Sequence, residues 1–159
     1  MFIANFVLIM VFSCFSGVNF PPTASQPLSL FITPAHQTVK VGSEIKIRTK
    51  LTNQTDHVIT FFDTNFDCDY PTEVRDDKGN LVPLTPYRQQ LRCNDRLGDT
   101  RNILVTLKPQ ESIDEEILVH KLYELSRPGS YLVQVSRTIP KKLGDGTVKS
   151  NSVKITVTE

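Results

Sequence analysis

A proline–glycine corner followed by a strand pattern is the feature that most constrains how this chain can fold. The stretch from Leu125 to Arg137 reads LSRPGSYLVQVSR. Pro128 fixes its φ angle and Gly129 tolerates positive φ, so the chain can turn sharply there and enter a strand. Tyr131 follows the corner, where an aromatic residue can bury its ring while its hydroxyl bonds the preceding connection. The pattern predicts a central, penultimate strand, with Val148 to Thr158 as the last strand beside it.

Other strand patterns surround this one. Glu44 to Asn53 alternates apolar and polar residues with a period of two, which indicates one buried and one solvated face. Leu28 to Thr33 is a strand that Pro34 interrupts, as is typical of an edge that switches between sheets. Gln134 and Ser136, on the strand after the corner, are expected to face solvent. Further strands are predicted at Val58–Phe62 (apolar enough to be central), Thr72–Arg75, Leu81–Leu84, Ile103–Leu107 and Ser112–Val119.

The number and spacing of these strands define the fold class. Eight or nine short strands are separated by turn signals, and no convincing helical period appears. The chain is therefore predicted to be all-β, an immunoglobulin-like antiparallel β-sandwich of about seven to nine strands spanning residues 28–159.

The N-terminus is predicted to lie outside the fold. Phe2 to Phe15 is a nearly unbroken apolar run, and Lys40 is the first basic residue. A helix of about 14 residues reaches roughly 21 Å, short of a bilayer core of about 30 Å. Residues 1–16 are therefore expected to be a signal peptide cleaved after Ser16, or alternatively a lipoprotein leader acylated at Cys14. Residues 17–27 form a proline-rich linker, and the remainder is exported: secreted, periplasmic or associated with the cell envelope.

The cysteines favour an oxidising compartment. Once the leader is removed, Cys68 and Cys93 remain, and they allow one pairing. We predict a disulfide between them, and the alternative is two buried free thiols. Neither a CxxC motif nor Cys/His ligand spacing is present, so we expect neither a structural metal nor a cofactor.

The candidate binding residues lie near Cys93. Within PYRQQLRCNDRLGDTR, an aromatic residue precedes arginines that could recognise carboxylates or an acidic protein surface. The predicted binding residues are Tyr87, Arg88, Arg92 and Arg96. The alternative is an ordinary solvated loop. A second basic group consists of Arg137, Lys141, Lys142 and Lys149, and it is interpreted as solvent-facing.

Catalytic and metal patterns are weak. His36, His57 and His120 are scattered and follow no nucleophile or metal motif, so the protein is predicted not to be an enzyme. A loose calcium site at Asp63, Asp67 and Asp69 is an alternative to a solvated loop with Asx turns, although the loop departs from the EF-hand pattern. Asn53-Gln54-Thr55 fits a glycosylation sequon.

The formal net charge of +1 gives no reason to expect nucleic acid as a partner. The expected partner is another exported or envelope protein. Contact with a membrane is expected only through the leader, if the leader stays uncleaved or is lipidated.

Two family resemblances rest on turn chemistry. The order VKVGSEIKIRTKLTNQTDHVITFF, EVRDDKGNLV, LKPQESIDEEILV and RPGSYLVQVS resembles the BsuPI-like intracellular proteinase inhibitor domains. KLYELSRPGSYLVQ also resembles the β-domain that precedes the catalytic unit of deuterolysin-type metallopeptidases. Both resemblances cover roughly Val39 to Arg137 and imply a β-sandwich. The sequence thus predicts an exported, non-catalytic binding or accessory module of unknown ligand. The resemblances imply the alternative of a protease-directed protein, either an inhibitor or a prodomain-like module.

Overall fold

A computed structural model describes residues 26–63, 65–91, 93 and 103–159. The predicted leader and all but the end of the predicted linker lie outside these residues. Within the described residues the elements are β1 (Leu28–Pro34), β2 (Thr38–Lys40), β3 (Lys46–Asn53), β4 (Ile59–Asp63), α1 (Phe66–Asp69), β5 (Thr72–Arg75), α2 (Pro86–Gln90), β6 (Ile103–Leu107), β7 (Ser112–Leu118), α3 (Val119–Leu122), β8 (Gly129–Thr138), β9 (Thr147–Lys149) and β10 (Val153–Thr158), with a 3₁₀ turn at Lys141–Leu143.

The strands form two main sheets and a two-stranded ribbon. One sheet has the order β1-β3-β7, and the other has the order β2-β10-β8-β5 with β9 also paired to β8. The ribbon consists of β4 and β6. Every pairing is antiparallel except that of β2 with β10. The fold is an all-β, immunoglobulin-like sandwich, as predicted.

The first strand changes sheets at a proline. β1 pairs with β3 in one sheet, whereas β2, which begins four residues after Pro34, pairs with β10 in the other. Proline has no N–H to donate to a ladder, so the break falls where the chain leaves the first sheet. The predicted switch of sheets is confirmed.

The core lies between the inward faces of the two sheets. In β3, Ile47, Thr49 and Leu51 are buried and their neighbours are not. In β8, the inward row is Tyr131, Val133, Val135 and Arg137. The period-two patterns therefore predicted the buried faces of both strands.

The corner before β8 is built as expected. Tyr131 is 7% exposed, and its hydroxyl donates a hydrogen bond of 2.7 Å to the carbonyl oxygen of Arg127. Gly129 begins β8, which lies between β10 and β5. The central position of this strand and the role of Tyr131 are confirmed.

Three strand predictions are wrong in detail. Val58–Phe62 is not central, because β4 pairs only with β6 among the described strands and leaves Val58 and Phe62 exposed. Val148–Thr158 splits into β9 and β10, because the Ser150 hydroxyl takes the amide of Val135 and donates to the carbonyl of Asn151. Residues 81–84 form isolated bridges rather than a strand. The described residues accordingly hold ten strands, more than the seven to nine predicted.

The polar residues of β8 are also less free than predicted. Gln134 donates a hydrogen bond to the carbonyl of Ser150, and Ser136 donates one to the carbonyl of Pro71. Both side chains lie on the outward row of β8, as predicted, but each is half-exposed and bonded to a neighbouring segment.

The asparagine of the predicted glycosylation sequon connects several segments of the fold. Asn53 is fully buried, and its Nδ2 donates to the carbonyl oxygens of His57, Leu107 and Lys108. Its Oδ1 accepts from the amide and hydroxyl of Thr55. One side chain thus ties the end of β3 to one end of the β4–β6 ribbon, where β4 begins and β6 ends.

Candidate binding cleft

Two short helices and a disulfide build one end of the sandwich. Asn65 caps α1 by accepting from the amide of Asp67, and Thr85 caps α2 by accepting from the amide of Arg88. Pro86 occupies the first turn of α2, where a missing N–H is harmless. These caps fix the residues at which the two helices begin.

The predicted disulfide is present. Cys68 of α1 is bonded to Cys93, which follows α2, and their Cα atoms are 5.2 Å apart. The bond ties α1 to the position that follows α2. Disulfides persist in oxidising compartments, so this bond agrees with the predicted export without demonstrating it.

Tyr87 links the helices. Its hydroxyl donates a hydrogen bond of 2.8 Å to Oδ2 of Asp67, and this bond, helped by partial burial, raises the pKa of the phenol. Arg88 turns back toward the disulfide, with Nη1 3.3 Å from Sγ of Cys93. Of the predicted binding residues, Tyr87 and Arg88 therefore lie together at this end. Arg92 and Arg96 lie outside the described residues.

The helices face β7 and α3 across a cleft of about 270 Å³. One wall carries two aromatic rings and a carboxylate, and the other carries two further carboxylates and one lysine. The lining residues are Asn65, Phe66, Asp67, Tyr87, Glu115, Glu116, Leu118 and Lys121. Aromatic rings next to carboxylates are suited to a cationic side chain.

A buried ion pair lies near the cleft. Arg137 donates a hydrogen bond through Nη2 to Oδ1 of Asp63, and the two side chains are 4% and 14% exposed. The guanidinium lies 5.0 Å from the ring centroid of Phe61 and 4.6 Å from that of Tyr70. The prediction that Arg137 faces solvent is wrong. The period of two in β8 already placed it on the inward row with Tyr131, so the sequence contained the signal.

Desolvation raises the pKa values of two carboxylates in and near the cleft. Desolvation raises the pKa of Asp63, and the opposing attraction of Arg137 offsets only part of it. Desolvation also raises the pKa of Glu115, and the negative charge of Asp63 adds to the effect. Glu115 was not singled out from the sequence, because its partial desolvation follows from the position of β7 beside the cleft, and the residue itself stays exposed.

The alternative calcium site does not form among the described residues. Asp63 is paired with Arg137, Asp67 accepts from Tyr87, and Asp69 accepts from the amide of Asn65. The described part of the chain contains no group of three or more His, Cys, Asp or Glu side chains placed to hold a metal.

The histidines have separate local roles. His120 accepts a hydrogen bond of 3.1 Å from the amide of Ile45, and His57 lies 2.9 Å from Asp56. His120 is thus partly buried against the start of β3.

The described residues form an all-β domain with a cleft at one end. Sequence comparison finds a relative of this domain. No protein-family model matches the chain. It is 30% identical over 146 residues to a neutral protease 2 homolog of Uncinocarpus reesii, and the match covers 89% of this chain and 38% of that protein. The chain thus spans less than two fifths of the length of this relative.

Solved structures give weaker likenesses. The CARDB domain of a Pyrococcus furiosus protein has a TM-score of 0.42 at 12% identity, with 82% of this chain and 87% of that chain covered. A β-glucosidase of Erythrobacter marinus has a TM-score of 0.45 at 12% identity, with 82% and 15% covered. These scores are low, and the fold assignment rests on the strand pairing described above. The resemblance to BsuPI-like inhibitors in particular stays a prediction. No helix in the described parts of the chain is both long and apolar enough to cross a membrane.

Proposed function

We propose that this protein is a non-catalytic, exported β-sandwich module that binds a protease. The similarity to the neutral protease 2 homolog supports this proposal, because it extends over 89% of the present chain. It covers only 38% of the relative, so most of the relative is separate from the part that resembles this domain. A module that accompanies a protease must recognise it, either within one chain or between two. This narrows the general expectation of an exported binding or accessory module to one kind of partner.

The cleft is the proposed contact surface. On one wall Tyr87 is bonded to Asp67, and on the other wall the exposed Glu115 is available to a ligand. The disulfide holds one wall in place. A wall with the exposed ring of Tyr87 beside the half-buried ring of Phe66 favours recognition of a protein side chain, since tyrosine is enriched among the residues that dominate protein interfaces.

A binding and refolding experiment tests the proposal. The full chain is produced in an oxidising host. The protease probe is the Uncinocarpus reesii neutral protease 2 homolog from which the matched segment has been deleted. We expect the chain to bind this probe and to change either its rate of casein hydrolysis or the yield of activity when it refolds from urea. Slower hydrolysis would identify an inhibitor, and a higher refolding yield would identify a prodomain-like folding assistant.

Two variants provide the control. Tyr87→Ala removes an exposed ring from the cleft and should weaken binding, whereas Lys142→Ala, on the 3₁₀ turn, should not. Absence of binding at about 0.1 mM, equivalent to a binding free energy weaker than about 5.5 kcal/mol, would refute the proposal.

A further inference from the structure

The sheet edges of the sandwich are not protected alike. An edge strand presents unpaired N–H and C=O groups, and proteins usually cover or blunt them. The β1 edge is covered by a side chain, since Asn151 accepts from the amide of Ile32 at 2.8 Å and donates to its carbonyl at 3.0 Å. Pro34 then ends that edge without an N–H.

The other main sheet is also protected at its ends. On the outer side of β5, the amide of Val82 donates to the carbonyl of Val74 at 2.9 Å, and Leu81 forms a bridge with Arg75. At the opposite end, β2 is only three residues long. Neither strand offers a long free ladder.

The β7 edge differs. A hydrogen bond lies at each end of its pairing with β3. At one end the amide of Val119 donates to the carbonyl of Ile45, and at the other the amide of Asn53 donates to the carbonyl of Glu111. Hydrogen-bonded and non-bonded pairs alternate in an antiparallel ladder, so the odd-numbered residues of β7 bond to β3. The even-numbered residues Ser112, Asp114 and Glu116 direct their N–H and C=O groups away from β3. Among the described residues, these groups have no hydrogen-bond partner.

The free edge carries negative charge. Asp114 and Glu116 lie on the outer face, opposite Lys50 and Arg48 of β3, and Glu116 is 3.5 Å from Arg48. Glu115 alternates to the other face of β7, where it stands opposite the buried Thr49, and it lines the cleft together with Glu116. No described lysine or arginine forms an ion pair with Glu115. The charged group that acts on the pKa of Glu115 is the carboxylate of Asp63, and it raises that pKa.

We propose that the free edge of β7 is a docking site for an extended, basic segment of another protein. The segment adds as a strand beside Asp114–Glu116, and one of its lysine or arginine side chains reaches Glu115 in the cleft, across from the aromatic rings of Phe66 and Tyr87. A second copy of this chain fits poorly, because two acidic edges would place like charges opposite each other. The inference concerns the mode of binding and does not require that the partner be a protease.

Amide hydrogen exchange read by NMR tests the docking mode. The probe is the peptide acetyl-Lys-Val-Lys-Val-Lys-Val-Lys-amide, and the control is the same peptide with glutamate in place of lysine. With the basic peptide at nine-tenths occupancy, exchange at Asp114 and Glu116 should slow about tenfold, because open amides become bonded. The amides of Glu115 and Ile117 already bond to β3 and should not change.

Variants separate the backbone and charge contributions. Asp114→Pro removes an outward N–H that no other described residue accepts and should abolish the protection at Glu116, whereas Asp114→Ala keeps the N–H and should retain it. Glu115→Gln should weaken the basic peptide several-fold, and the dispersion of the amide spectrum reports whether each variant is folded.

Three results would overturn the inference. The acidic peptide could bind as well as the basic one, or shift changes could map away from β7. Alternatively, protection of Asp114 and Glu116 could rise with protein concentration alone, which would show that a second copy occupies the edge.

Discussion

The Asp63–Arg137 pair offers a direct test of how this sandwich tolerates an internal charge. Asp63→Asn removes the negative charge but keeps the shape of the side chain. The guanidinium of Arg137 would then be left between Phe61 and Tyr70 with its charge uncompensated, and its Nε and Nη1 already have no partner among the described residues. The ion pair also ties the end of β4 to β8.

The structure gives the expected size of the effect. Removing one partner of a buried ion pair lowers the free energy of unfolding by about 3–5 kcal/mol. That is a large share of a typical stability of about 5–15 kcal/mol. Arg137→Met should cost less than Asp63→Asn. Burial already raises the pKa of Asp63, so the unpaired carboxyl can take up a proton and become neutral. The double variant removes both charges and keeps an apolar side chain against the rings, so it should lie within about 1 kcal/mol of wild type.

Urea unfolding of the wild type, both single variants and the double variant completes the cycle. We expect a coupling energy of several kcal/mol, well above the value of about 1 kcal/mol or less that exposed pairs give. The reasoning would be refuted if Asp63→Asn melted within about 0.5 kcal/mol of wild type, because Arg137 would then be neutralised or solvated by other means.

Four further predictions concern single sites. Tyr131→Phe should lower the free energy of unfolding by about 1–2 kcal/mol and Tyr131→Ala by about 3–5 kcal/mol in urea melts, and equal melts would contradict the corner. Glycopeptide mass analysis should find Asn53 unmodified in folded protein, because a glycan would remove an N–H that the three buried carbonyls need. Reducing the Cys68–Cys93 bond should lower stability by about 3 kcal/mol in the chain-entropy model, and unchanged unfolding would show that the bond restrains little. Glu115→Gln should match wild type in stability below about pH 4 and exceed it at pH 7; a variant less stable at pH 7 would show that Glu115 is favourably paired.

The sign of the Glu115 prediction follows from the direction of its pKa shift. Burial and the charge of Asp63 raise its pKa in the folded state above the unfolded value of 4.5. The folded protein therefore binds the proton more readily than the unfolded chain does. The contribution of Glu115 to stability is fully present below pH 4.5 and is lost as the pH rises through the raised folded value. Replacing the carboxyl with an amide removes this loss.

Local chemistry was enough to predict the strands and their buried faces. The alternation in β3 and β8 follows from the two-residue period of a strand, and Pro34 cannot donate to a ladder, so both signals are contained in short stretches of sequence. The corner at Tyr131 is also a local signal. The Cys68–Cys93 pairing follows from counting the cysteines that remain once the leader is removed. The same period places Arg137 on the inward row of β8. The prediction that its side chain faces solvent is wrong because it rested on the charge alone.

The cleft and the edges depend on the tertiary structure. Phe66, Tyr87 and Glu115 come from segments far apart in the chain, and their meeting requires the sandwich and the disulfide that holds α1. Whether a strand lies at an edge is likewise a property of the whole sheet. The β1 edge is closed by Asn151, which is 119 residues away from Ile32. No short-range pattern can encode a contact at that separation, because it is decided by which strands finally pack together.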